Sequence, residues 1–199
     1  MSDDVVNTTR RRFLTAATTV VGAAGVVGIA VPFVGSWNPS AKAKAAGAPV
    51  KFDASRLEPG EMKVVEWRGK PVYVVRRTQK QLDELSGMAD KLKDPESTNT
   101  GQQPAYVDLA TRSIRPEFLV LVGLCTHLGC APKGAMDETT AEVDGLVGHG
   151  GFFCPCHGSK FDLAGRVYKG VPASDNLLVP PYSFESGDVI VIGVDQETA

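Results

Sequence analysis

The sequence predicts a mainly β domain carried behind one helix of membrane length. Three observations predict it. Residues 13–34 hold no charged side chain. Beyond them, short runs rich in Val and aromatics are separated by glycine-bearing turn signals, the pattern of strands and hairpins. All 4 cysteines and two of the 3 histidines fall in two hexamers, residues 125–130 and 154–159, and an apolar run leads into each. Composition narrows the class further. With a net charge of −2, no basic face and no basic–aromatic interleaving, the chain has no mark of a nucleic-acid partner. No nucleotide-binding glycine pattern is present, and nothing repeats internally beyond the two hexamers.

The elements follow in chain order. Thr9-Arg10-Arg11-Arg12-Phe13-Leu14-Thr15 fits a twin-arginine export signal. That route moves folded proteins, which suits a cofactor inserted before export. The uncharged run 13–34 reaches about 33 Å as a helix, enough for a bilayer core. Gly22, Gly25 and Gly28 recur along it, which a membrane helix tolerates. Basic residues precede the run, so residues 1–12 are expected in the cytoplasm and the rest in the periplasm, where a disulfide persists. Ala41-Lys42-Ala43 and Ala46-Gly47-Ala48 resemble signal-cleavage sites, but the apolar run exceeds a usual signal core, so retention as an anchor is expected. Trp37 sits where an interfacial aromatic belongs. Residues 39–48 are small apart from two lysines and read as a spacer within a connecting segment, 35–49.

Residues 50–199 suffice for one domain with a real core. Residues 62–67 and 71–76 flank Arg68-Gly69-Lys70 as a hairpin. Residues 78–92 read as one helix: Thr78 with Gln81 forms a capping box, and Leu82, Leu85, Met88 and Leu92 recur at helical spacing. Residues 94–104 are polar with Gly and Pro, hence a loop. The apolar run 118–124 leads into the first hexamer and 151–153 into the second. Phe184 and residues 188–194 flank Glu185-Ser186-Gly187 as a second hairpin. The third histidine, His149, lies in Gly148-His149-Gly150-Gly151 and reads as a surface or turn residue.

The hexamers carry the chemistry. Cys125-Thr126-His127-Leu128-Gly129-Cys130 and Cys154-Pro155-Cys156-His157-Gly158-Ser159 each offer one thiolate, one imidazole and one further cysteine. Structural zinc sites pair like ligands at C-x(2–4)-C and H-x(3–5)-H, which matches poorly. Two plain disulfides would leave His127 and His157 without a reason for their places. A Cys–His nucleophile needs one reactive thiol, not two duplicated loops. An iron–sulfur centre with two Cys and two His ligands fits best.

These paired motifs resemble the Rieske [2Fe–2S] proteins, in the form found in quinol–cytochrome c oxidoreductases. The resemblance runs from the N-terminal anchor to the last strand. It implies an N-terminal transmembrane helix and an antiparallel β-sandwich with a small cluster-binding subdomain near residues 121–179. It implies one [2Fe–2S] cluster, with Cys125 and Cys154 on the inner iron and His127 and His157 on the outer. His157 would face quinol, and the Ser159 hydroxyl would donate to a bridging sulfide. Cys130 and Cys156 would form a disulfide worth roughly 3–4 kcal/mol in loop entropy. Phe161 occupies a position where many relatives have a tyrosine bonded to a cluster cysteine, so a lower potential is expected here. Residues 170–177 resemble the proline-rich loop over the cluster, with Pro172 present and Ser174 where a second proline is usual. Leu128 would be an apolar tip that docks on cytochrome b.

Two imidazoles in place of two thiolates leave the oxidised centre neutral, which eases electron uptake. A histidine on ferric iron also loses its outer proton more readily than one on ferrous iron, so electron and proton uptake are coupled. The resemblance implies partners: a cytochrome b subunit, a c-type cytochrome, quinol, the bacterial inner membrane, and a dimeric parent complex that supports proton-motive respiration. Residues 35–49 become a hinge for a moving domain, and the spacer within them, residues 39–48, spans at most about 30–35 Å when extended. The rival reading is the small subunit of a periplasmic molybdenum oxidase such as arsenite oxidase. A soluble Rieske ferredoxin or oxygenase domain would lack the extra cysteine pair and the anchor.

Overall fold

The computed structural model describes residues 7–136, 146 and 149–196, with the Ala46 side chain left aside. Residues 1–6 of the export segment, Gly148 and residues 197–199 lie outside them. The chain divides into two compact units, residues 1–45 and 46–199.

The first unit is built on helix α1, Thr8–Gly35. Asn7 caps it, its side chain accepting from the Arg10 N–H at 3.0 Å. The helix thus begins before the uncharged run, because a capping residue and good helix formers precede it. At 28 residues it reaches about 42 Å, long and apolar enough to cross a membrane. Thr15, Thr18 and Thr19 return their hydroxyls to carbonyls one turn back, at 2.8–2.9 Å, so these polar groups need no water. Past it, Ala41–Ala46 forms a short helix, α2. Ser40 starts it by accepting from the Ala43 N–H at 3.1 Å. The spacer is therefore partly coiled rather than extended, because alanine and lysine are strong helix formers.

In the second unit the described strands are β1 Val50–Asp53, β2 Met62–Trp67, β3 Lys70–Arg76, β4 Phe118–Val122, β5 Lys133–Ala135, β6 Gly151–Phe153, β7 Lys160–Phe161, β8 Tyr182–Phe184 and β9 Val189–Ile192. They form three antiparallel sheets ordered β1-β9-β8, β2-β3-β4 and β5-β6-β7. The β2–β3 hairpin turns on Arg68 (φ 52) and Gly69 (φ 69), the left-handed pair of a two-residue hairpin loop. The third strand of its sheet, β4, is buried at every position, as its unbroken Phe-Leu-Val-Leu-Val implies. It ends at Val122, short of the expected Leu124: Gly123 still donates its N–H to Pro71 O at 2.7 Å, and the chain then bends as the Leu124 N–H donates back to Val122 O at 2.8 Å. The Tyr73 ring fills the space where a Gly123 side chain would stand.

Trp67, Val74, Leu119, Leu121, Phe152, Phe161, Tyr182 and Ile190 belong to one apolar core shared by all three sheets. The capping box at Thr78 and Gln81 is present, and helix α3 runs Gln79–Leu85. The expected helix to residue 92 is corrected: Ser86–Lys91 is a 3₁₀ helix. Gly87 weakens the α conformation there, and the tighter coil still buries Leu85, Met88 and Leu92.

No sequence pattern marks three arginines that the fold buries. Arg112, at 0% exposure, donates to Ala164 O (3.0 Å), Leu177 O (2.7 Å), Gln102 O (2.9 Å) and Gln103 Oε1 (3.1 Å). Arg77 reaches Leu163 O at 2.9 Å, and Arg166 pairs with buried Asp162 at 2.7 Å. Burial pulls Arg77 and Arg112 down to about 10, which leaves both charged at neutral pH. All three grip residues 162–166, the turn that follows β7.

Candidate metal centre

Strands β4 and β6 deliver the two hexamers, and each closes by the same backbone bonds. Cys125 N–H donates to Cys130 O at 2.8 Å and Gly129 N–H to Cys125 O at 2.9 Å. Cys154 N–H donates to Ser159 O at 2.8 Å and Gly158 N–H to Cys154 O at 2.9 Å. Gly129 (φ 80) and Gly158 (φ 75) take the left-handed conformation that lets each loop turn back. Two short segments far apart in sequence thus share one frame.

Side chains hang on this frame unequally. Cys125 and Cys154 are free and buried. Burial pushes the Cys125 thiol up and the neighbouring Cys154 thiol adds to that, while the His127 backbone N–H and the Ser159 hydroxyl pull it down. Cys130 and Cys156 form a disulfide between the loops, with Cα atoms 6.7 Å apart. The His127 and His157 rings stand perpendicular with centroids 4.7 Å apart. His127 Nδ1 is buried without a hydrogen-bond partner, whereas His157 is exposed. Two facing thiols, two adjacent imidazoles and an orphaned buried nitrogen are a donor set that fits a two-iron cluster with mixed ligation. The Cys130, Cys154 and Cys156 sulfurs also lie within 4.8 Å of one another, but the disulfide removes two of them as thiolate ligands.

Other residues singled out by sequence fall around this set. Ser159 is fully buried and accepts from the Ala173 N–H at 3.0 Å. Phe161 is fully buried opposite Phe152 on β6. Leu128 is 72% exposed at the tip of the first loop, and Pro172 is exposed on the segment 170–177. His149 lies apart in a turn, its Nδ1 3.7 Å from Glu84 Oε2.

Sequence reasoning missed the residues that fasten the segment 170–177. Thr126 donates to Asp175 O at 2.7 Å, Lys93 Nζ to Val171 O at 2.8 Å and Ala173 O at 2.6 Å, and Asn176 accepts from Val167 N–H at 2.9 Å. Thr126, inside a hexamer, and Asn176, inside the segment 170–177, carried a positional signal; Lys93 carried none. A cleft lined by Pro95, Ser97, Pro104 and Leu109 shares no lining residue with the hexamers.

Residues 49–183 match the family model described as "Rieske [2Fe-2S] domain". Residues 1–40 match "Ubiquitinol-cytochrome C reductase Fe-S subunit TAT signal", which with α1 fits a membrane-anchored subunit. A "Ubiquinol-cytochrome c reductase iron-sulfur subunit" of Allochromatium vinosum is 52% identical over 199 residues, covering 100% of this chain and 95% of the relative. A protein of the same name from Blastochloris viridis is 42% identical over 193 residues, covering 96% and 97%. One from Bradyrhizobium diazoefficiens is 41% identical, covering 93% and 94%. These relatives do not favour the molybdenum-oxidase reading. The chain belongs to the Rieske [2Fe–2S] family, and within it to the iron–sulfur subunits of ubiquinol–cytochrome c reductase.

Proposed function

We propose that this chain is the electron-transfer subunit that oxidises quinol and passes the electron to a c-type haem. The observation that supports it best is the unequal imidazole pair beside two free buried thiols: His127 is orphaned and inward, His157 exposed. Cys125 and Cys154 would hold one iron, His127 and His157 the other. Bound there, the [2Fe–2S] group supplies a one-electron acceptor that is neutral when oxidised. Once its outer nitrogen has lost its proton, His157 would accept the quinol hydrogen bond there and take the proton of that bond as the electron leaves the quinol. Ser159 gives its hydroxyl to sulfur, which favours the more negative, reduced state.

The rest of the chain positions this centre. Leu128 and Pro172 are apolar, exposed and rigidly based, and they form the contact with the cytochrome b subunit. Residues 13–34 anchor the chain in the inner membrane, residues 1–12 lie in the cytoplasm, and residues 50–199 work in the periplasm. Residues 35–49 are the hinge between them, and the parent complex is dimeric. A tag placed after Ala199 tests the reading. Gently solubilised membranes should yield co-eluting b-type and c-type haem. Molybdenum without haem b, or the chain alone, would overturn it.

A further inference from the structure

The segment 170–177 is stiffened by one proline only, Pro172, which fixes its own φ and has no N–H to offer. Something else must hold its backbone. Lys93 does so from outside both hexamers. Its ammonium donates to Val171 O at 2.8 Å and to Ala173 O at 2.6 Å, the carbonyls on either side of Pro172. The Lys93 backbone is fixed in turn, its N–H donating to Val167 O at 2.9 Å.

The hold continues inward. Ala173 donates its N–H to Ser159 Oγ at 3.0 Å. Ser159 is 0% exposed, so water does not compete there. A hydroxyl owns one proton. With its oxygen occupied by the Ala173 N–H, that proton points away from Ala173 and is left for a sulfur of the group bound beside it. Ammonium, peptide and hydroxyl thus form one file.

We infer that Lys93 is a positioning residue: it fixes Ala173, Ala173 orients Ser159, and the Ser159 proton tunes the redox potential of the group bound at Cys125. The inference rests on the ligand assignment above. A hydrogen bond to a ligand sulfur stabilises the reduced state. Releasing the file therefore lowers the potential.

The experiment uses the full-length chain in its purified complex. Iron per chain is measured, and the midpoint potential is read from redox-poised EPR spectra. Lys93→Met, Lys93→Arg, Ser159→Ala and the double variant Lys93→Met/Ser159→Ala are compared. Lys93 is exposed, so its replacement leaves the core intact. Lys93→Met and Ser159→Ala should each lower the potential, and Lys93→Arg, which keeps charge and donors, should restore most of it. In the Ser159→Ala background, Lys93→Met should add little, because the route runs through Ser159. An equal Lys93→Met shift in both backgrounds overturns the file in favour of a direct charge effect. Iron-replete Lys93→Met with an unmoved potential overturns it too. A wild-type chain without iron overturns the ligand assignment itself, and this inference with it.

Discussion

The two hexamers share a backbone and differ in what they hang on it. Both close with a first-residue N–H to the sixth carbonyl at 2.8 Å and a fifth-residue glycine N–H to the first carbonyl at 2.9 Å. The first residue is a free buried cysteine in each. The sixth is Cys130 in one and the buried hydroxyl of Ser159 in the other. The histidine stands third in the first loop and fourth in the second, and His127 is half-buried where His157 is exposed. The difference teaches that the repeated frame places the two free thiols alike, while single-position offsets put a disulfide cysteine, a buried hydroxyl and an exposed leucine where the other loop has none.

The comparison can be broken at its shared point. Because the first residues are equivalent, Cys125→Ser and Cys154→Ser should each abolish the centre, taking iron per chain from two to near zero. Retention of iron in either variant would contradict equivalence. At the unshared sixth position, Cys130→Ser should cost roughly 3–4 kcal/mol of stability and lower cluster occupancy or potential, without abolishing either. An unchanged cluster in that variant would show that the lock is dispensable. Leu128 has no counterpart tip in the second loop, where His157 takes its place. Leu128→Ser should slow quinol oxidation several-fold while leaving iron content and EPR spectrum as in wild type; unchanged turnover would remove its docking role. The smallest effect sharpens the tuning side. Phe161→Tyr should raise the midpoint potential by supplying a hydroxyl near the thiols, and a static potential would assign Phe161 to packing alone.

What could be read from sequence was local. Both hairpins, the capping box at Thr78 and the burial of β4 follow from short-range patterns and appear nearly where expected. The hexamers named the donors because their residue types have few other uses at that spacing. What was not legible depends on distant partners. Arg77, Arg112 and Arg166 look like surface residues, and only the fold brings the carbonyls of 162–166 to them. Lys93 is an ordinary lysine until Val171 and Ala173 are folded beside it. The end of α3 at Leu85 turned on a balance between glycine's cost and tertiary burial, which periodicity alone does not weigh.

The pairing of β1 with β9 bears on how the protein is made. Val50 lies opposite Ile192 and Asp53 opposite Val189, so the first strand of the domain waits for the last one. A growing chain cannot complete that sheet until β9 has left the ribosome. Pairing across so long a separation is also slow, because the loop must close before any contact rewards it. Closure of this domain therefore waits for β9. Maturation is then ordered in time: β9 emerges and docks, the domain closes, and only a closed domain is presented to an exporter that accepts folded cargo.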